Sequence, residues 1–221
     1  MECSLLPLPQ KLQAHAQRRK PAGGVVRCAG AQAVFEVGKQ GTLHQRFAEM
    51  TPAGKNSDCL VRPATTADMA SVTAIYAHFV ETSTATFDLV APGQATMLRR
   101  REVVVDRGLP YLVAELEGYI VGYSYAAPFR PREGYRFTVE DSIYVRADCV
   151  GYGVGKLLLT ELIAKCQHKG CHSMVACVCG INPPSVALHS SLGFVLVGTL
   201  PEAGKKFGEW LSLSIMQRLL R

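Results

Sequence analysis

Three alternating glycines, in Gly151-Tyr152-Gly153-Val154-Gly155, stand between a β-branched run and an apolar helical stripe. Glycine lets a backbone approach a ligand closely and lets successive N–H groups point the same way. The helix that follows adds about half a positive charge at its N-terminus. A strand, such a loop and such a helix, in that order, suit a pyrophosphate. Two known phosphate loops are excluded by residues. A dinucleotide fingerprint counted from Gly151 needs a glycine where Lys156 stands, and an acidic ribose ligand where Cys171-His172 falls. A Walker A loop needs a glycine at Val150 and a hydroxyl at Leu157. A turn that only packs helix on strand is the alternative to a phosphate cradle.

The chain around the loop has regular punctuation. Cys59 to Arg62 reads as a short strand ending before Pro63. Thr66 or Asp68 can cap a helix whose Val72, Ile75, Tyr76 and Phe79 recur at three- and four-residue spacing. A second helix is predicted over 94–107. Two strands, 111–116 and 119–125, flank Glu117-Gly118 as a hairpin. A strand over 138–146 precedes the glycine loop. Beyond it, Leu158, Leu159, Leu162, Ile163 and Cys166 make one apolar stripe. A strand over 172–178 and a helix over 184–192, stopped by Gly193, come next. Strands over 194–198 and 210–216 close the set. The order predicts one mixed α/β sheet with helices on both faces.

Charge divides the chain in two. Residues 1–57 hold eight basic and three acidic residues, five of the six net positive charges. The body is close to neutral, so no nucleic-acid partner is expected there. The leader has no acid between Glu2 and Glu36 and carries Arg18-Arg19-Lys20. It reads as an organellar transit peptide, for a chloroplast or mitochondrion, although serine is scarce. A disordered leader, or a start assigned too far upstream, leaving a cytoplasmic protein, is the other reading. No apolar run reaches the roughly 18 residues of a spanning helix, so no membrane partner is expected. Eight cysteines contain no CxxC pair and no zinc spacing. They read as reduced, packed thiols, and no metal is expected.

Ser142-Ile143-Tyr144-Val145-Arg146, the glycine loop and Lys156-Leu157-Leu158 resemble the acetyl-CoA motif of GNAT-superfamily N-acetyltransferases. Asn182, Ser185-Val186-Ala187-Leu188-His189 and Leu192-Gly193-Phe194 are similar to the next motif of that superfamily. Thr84-Ala85-Thr86-Phe87, Arg130-Pro131-Arg132, Tyr135, Thr138 to Ser142, Gly198-Thr199-Leu200 and Lys206-Phe207-Gly208 with Trp210 narrow it. They resemble the phosphinothricin / methionine sulfoximine (methionine sulfone) acetyltransferase family. The likeness covers 59–219, so 58–221 is expected to be one GNAT domain behind a 1–57 leader. It implies a mostly antiparallel mixed sheet.

The resemblance also implies chemistry. Acetyl-CoA would be held by Ile143, Tyr144, Val145, Gly151, Tyr152, Gly153, Val154, Gly155, Lys156, Asn182 and Ser185. The superfamily loop opens with Gln or Arg where Val150 stands, so weaker CoA binding is expected. An attacking amine must lose a proton, and Glu140 is the expected base. His189 is either the proton donor to the departing thiolate or a packed histidine. Arg130 and Arg132 would grip a carboxylate and a neighbouring oxyanion or sulfone oxygen. Tyr135 and Phe207 would line the same pocket. The backbone at Tyr144 and Val145 should splay from its neighbour strand, through a bulge.

The expected reaction is direct transfer of acetyl to the α-amine of a small amino acid analogue in a ternary complex. A CoA-binding regulatory module with little turnover, and a protein or polyamine acetyltransferase, are the alternatives. A homodimer is expected by analogy only.

Overall fold

The computed structural model describes residues 59–221. The leader reading therefore lies outside the described residues. The elements run β1 (Cys59–Pro63), α1 (Met69–Thr82), α2 (Gln94–Asp106), β2 (Tyr111–Leu116), β3 (Tyr119–Pro128), β4 (Thr138–Val145), α3 (Val154–His168), β5 (Ser173–Cys179), α4 (Pro183–Ser191), β6 (Val195–Lys206) and β7 (Glu209–Leu219). Seven strands form one sheet in the order β1-β2-β3-β4-β5-β7-β6. Only β4 and β5 pair in parallel; every other pair is antiparallel.

Period-two alternation gives the sheet two apolar faces, and each is covered. On one face the α3 stripe of Leu158, Leu159, Leu162 and Ile163 packs on Leu112, Ala114, Val121, Val139, Met174 and Ala176. On the other, Val72, Ile75, Tyr76 and Val80 of α1 with Met97 and Val104 of α2 cover Tyr111, Val113 and Tyr123. Each fully buried leucine contributes about 1.5–3 kcal/mol. The first core holds Glu140's strand against α3, and the second leaves a tyrosine-lined wall.

Local chemistry accounts for the turns. Glu117 and Gly118 both take positive φ, +50° and +80°, the conformation of a tight hairpin. Asn182 Oδ1 accepts from the Ser185 N–H at 3.2 Å, and two prolines open α4 behind it. Arg62 spans β1 and the start of α1, reaching Asp68 at 2.8 Å and Glu115 at 2.7 Å.

Two expectations are corrected. The strand predicted over 194–198 runs on to Lys206. Gly198, Pro201 and Gly204 looked like breakers, but register shifts at Leu196/Gly198 and Leu200/Gly204 absorb them. The expected bulge in β4 is absent: β3 and β4 pair without a shift from Gly122↔Val145 to Pro128↔Val139. The splay exists all the same. β4 pairs with β5 only over Thr138–Asp141, opposite Ser173–Ala176. Beyond that point β4 follows β3 and β5 follows β7 out to Cys179. The two strands diverge, and Ser142 to Val145 keep one backbone edge open.

Candidate active site

The glycine loop meets the open edge of β4. Gly151 and Gly153 have φ of +87° and +83°, which a side chain would strain. Gly153 is the N-cap of α3 and offers no side-chain cap, so the N–H groups of the first turn stay open. A Cβ at Gly151 would meet nothing within 4 Å. Gly155 serves packing instead: a Cβ there would lie 3.3 Å from Leu188 Cδ2 and 3.8 Å from Val145 Cγ2. Tyr152 and Gly155 are half-buried, Val154 is buried and Lys156 is exposed. Ile143, Tyr144 and Val145 offer backbone along the open edge, and Asn182 with Ser185 starts α4 across the gap. The donors suit a diphosphate followed by an amide-bearing arm. Val150 is 57% exposed and apolar, so it adds no polar contact at the mouth.

Glu140 lies on β4 one residue before the last β4–β5 pair. Alternation turns it to the α1/α2 face, away from α3. Burial raises its carboxyl pKa, while a hydrogen bond from Cys177 and the Arg130 guanidinium hold it back. Cys177, on the same face of β5, is itself pushed up to about 12 by burial and the nearby Glu140 charge. It is a hydrogen-bond donor and not a thiolate nucleophile. Cys149 is likewise buried and pushed up to about 12 by burial.

His189 stands on the opposite face. It is 3% exposed. Its Nδ1 lies 2.7 Å from the Ser185 carbonyl oxygen and its Nε2 lies 3.0 Å from Asp141 Oδ2. Burial is the strongest single influence and disfavours the imidazolium, but the Asp141 hydrogen bond, the Asp141 charge and the Ser185 carbonyl together outweigh it and the pKa rises. A ring that donates at both nitrogens, behind the sheet from Glu140, has none left for a departing sulfur. The geometry therefore favours the packed reading of His189.

The substrate-side residues fall in two places. Arg130 packs over the Phe129 ring at 4.3 Å, and Tyr135 meets that ring edge-on at 5.8 Å. Arg132 is exposed on the same loop. Phe207 belongs to another element: it forms the β6–β7 turn with Gly208, at φ +52° and +86°. Its ring lies 5.1 Å below the Lys206 ammonium. That turn meets the loop after α1, where the Phe87 ring fills the space a Cβ on Gly204 would need. Thr86 of the loop bonds the Tyr76 hydroxyl at 2.8 Å, and a side-chain hydrogen bond links it to Tyr144. Tyr76 also stacks edge-on against Tyr144 at 5.1 Å. Sequence reading gave no role to Cys177, Asp141, Thr86 or Lys206. The alternation from Glu140 along β4 and β5 is the signal that reaches the first two.

Comparison with known proteins gives the class: the chain is an N-acetyltransferase with an acetyltransferase fold. It belongs to the acetyltransferase (GNAT) family, whose profile matches residues 73–194. The phosphinothricin N-acetyltransferase of Alcaligenes faecalis is 47% identical over 163 residues, 73% of this chain and 83% of that protein. The L-methionine sulfoximine/L-methionine sulfone acetyltransferase of Pseudomonas aeruginosa is 39% identical over 158 residues, 71% of this chain and 92% of that one. A GNAT superfamily phosphinothricin acetyltransferase from Sinorhizobium meliloti, solved in complex with AcCoA, superposes with a TM-score of 0.72 at 42% identity. It covers 73% of this chain and 88% of its own. Among the described residues, no helix is long and apolar enough to cross a membrane.

Proposed function

We propose that the enzyme transfers acetyl from acetyl-CoA to the α-amine of a small amino acid analogue, in a ternary complex. Phosphinothricin, methionine sulfoximine and methionine sulfone are the substrates the relatives' names suggest. The observation that carries the reading is Glu140: a half-buried carboxyl with a raised pKa, on the strand that diverges beside the glycine cradle.

Acetyl-CoA, held by the cradle, the β4 edge and the start of α4, supplies the thioester carbonyl. Glu140 takes one proton from the substrate ammonium, directly or through one water, and frees its lone pair. The open N–H groups of β4 stabilise the charge that develops on the carbonyl oxygen. The attacking nitrogen carries a second proton that it must lose, and the departing sulfur is the nearest acceptor. No side chain is then required as acid, which agrees with where His189 sits. Arg130 and Arg132 serve the acidic groups of the substrate, and Tyr135 and Phe207 its carbon skeleton.

The same proposal takes 58–221 as one catalytic domain and 1–57 as a cleaved chloroplast or mitochondrial leader, on its basic, acid-poor composition. Mass spectrometry of the mature protein should find its first residue between 25 and 57; an intact Met1 ends the targeting idea. A homodimer is part of the proposal as well. For the activity, an amino acid panel assayed with acetyl-CoA and thiol detection is the direct test. Glu140→Gln should lower turnover by about two or more orders of magnitude with acetyl-CoA affinity nearly unchanged. Wild-type rates in that variant remove Glu140 from its role.

A further inference from the structure

Lys206 is a buried cation that the Asp88 charge reaches but that no carboxylate among the described residues touches. Its side chain is 2% exposed. Its Nζ donates to the Thr86 carbonyl oxygen at 2.8 Å and sits over the Phe207 ring. One of its three donors is thus used on oxygen. Among the described residues no carboxylate lies within ion-pair distance of it. Asp88, the nearest acid in the same wall, is taken by the Tyr76 hydroxyl at 2.9 Å and by Arg100 at 2.8 Å. Burying an ammonium with no anion against it is strongly unfavourable, so such an arrangement persists where an anion completes it.

The position of Lys206 says which anion. It lies on the same face of the sheet as Glu140, Cys177 and Cys179: Lys206 pairs with Glu209, two residues from Leu211, and Leu213 on that alternation pairs with Cys179. Cys179 feels both the Glu140 and the Lys206 charge. Cys177 feels Glu140 and Arg130. Two cations therefore lie on the base's face of the sheet, Arg130 from the exposed β3–β4 loop and the buried Lys206 from the end of β6. An amino acid whose side chain ends in an oxygen-rich group has two polar ends with the amine near one of them.

We propose that Lys206, in place of the Arg130–Arg132 pair given that part above, is the binding residue for the substrate's α-carboxylate, leaving the two arginines to the oxygens at the far end of the side chain. The assignment rests on the amino acid reading given above. It gives specificity a physical basis: a desolvated ammonium selects a full anion over a neutral amide, because the amide leaves the charge unpaired.

The test compares methionine sulfone with its α-carboxamide, each with acetyl-CoA. Wild-type enzyme should favour the acid in kcat/KM by about tenfold or more. In Lys206→Met that ratio should fall toward one, mainly through KM for the acid. Lys206→Arg should keep part of it. Equal losses on acid and amide in Lys206→Met would reduce Lys206 to a clasp on Thr86 and overturn the inference, as would an unchanged ratio. A second readout needs neither turnover nor a folded variant. In wild-type protein labelled with 15N-lysine, the Nζ resonance that titrates with the lowered pKa of a buried lysine should shift on adding the acid and not the amide. No shift sinks the proposal. Failure of the amino acid reading looks different: wild-type enzyme would turn over neither compound, and the resonance arm would still decide Lys206.

Discussion

Glu140 and Asp141 are adjacent on β4, yet Glu140 faces the tyrosine-lined wall while Asp141 faces α4 and bonds His189 at 3.0 Å. The His189–Asp141 pair sits at the last residue where β4 and β5 still pair, opposite Ala176. It ties α4 to the root of the divergence. The raised pKa of His189 fixes the sign of its effect. A histidine whose pKa is higher when folded adds stability below its unfolded value, and that gain disappears as pH rises through the folded value. Replacing His189 with Gln should therefore cost most at acid pH, about 3–5 kcal/mol, since there it removes the charged partner of a buried carboxylate. Urea melts of both proteins at pH 5.5 and 8.5, to use round values on either side of the ordinary histidine pKa of about 6.5, should show the gap narrowing as pH rises. A gap that widens contradicts the pairing.

Glu140 should set the acid limb of the pH–rate profile. Its raised pKa places that limb above the ordinary glutamate value of about 4.3, with kcat/KM rising as the carboxyl ionises. The Cys177 thiol opposes the rise by donating to the carboxylate. Cys177→Ala should then move the limb to higher pH, and Cys177→Ser should move it back. A limb that ignores both variants would separate the thiol from the base.

Much of the fold was legible because apolar spacing and turn chemistry agree locally. The hairpin at Glu117-Gly118 and the α3 stripe from Leu158 to Cys166 are of this kind. The length of β6 was not, because Gly198 and Gly204 break a strand only if no bulge takes them up. The divergence of β4 from β5 was expected, but its cause lies in a parallel register that no local pattern records. For the site, the glycine cradle and Glu140 could be read from residues and resemblance. The state of His189 could not, because its two partners lie four residues away on α4 and 48 away on β4. Lys206 stood in a motif without a role, since burial of a lysine is set by the loop that closes over it.

The cradle itself predicts opposite effects from two kinds of change. Gly153→Ala forces a side chain into φ +83°, a cost of about 1–2 kcal/mol that falls on the first turn of α3. Acetyl-CoA affinity measured by calorimetry should drop by about tenfold, since a factor of ten is about 1.4 kcal/mol. Val150→Gln should instead tighten binding by a few-fold, because it places an amide N–H at an exposed position beside the loop. A looser complex with Val150→Gln would show that the mouth does not face the phosphates.

The β6 edge predicts assembly. In the described sheet, β6 has β7 on one side and nothing on the other. Its first nine residues are exposed, among them Val195 at 65%, Leu196 at 59% and Val197 at 61%. An uncovered edge carrying apolar residues on both faces invites a second chain, and before Pro201 the strand holds no proline and no charged residue to blunt it. A second copy of this enzyme satisfies the same surface twice over, as two-fold symmetry requires. Light scattering on the purified protein should give twice the chain mass, and Val197→Lys should give the monomer mass with the helical content of the wild type. A wild-type protein that stays monomeric across the concentration range would leave this edge to another partner and remove the dimer.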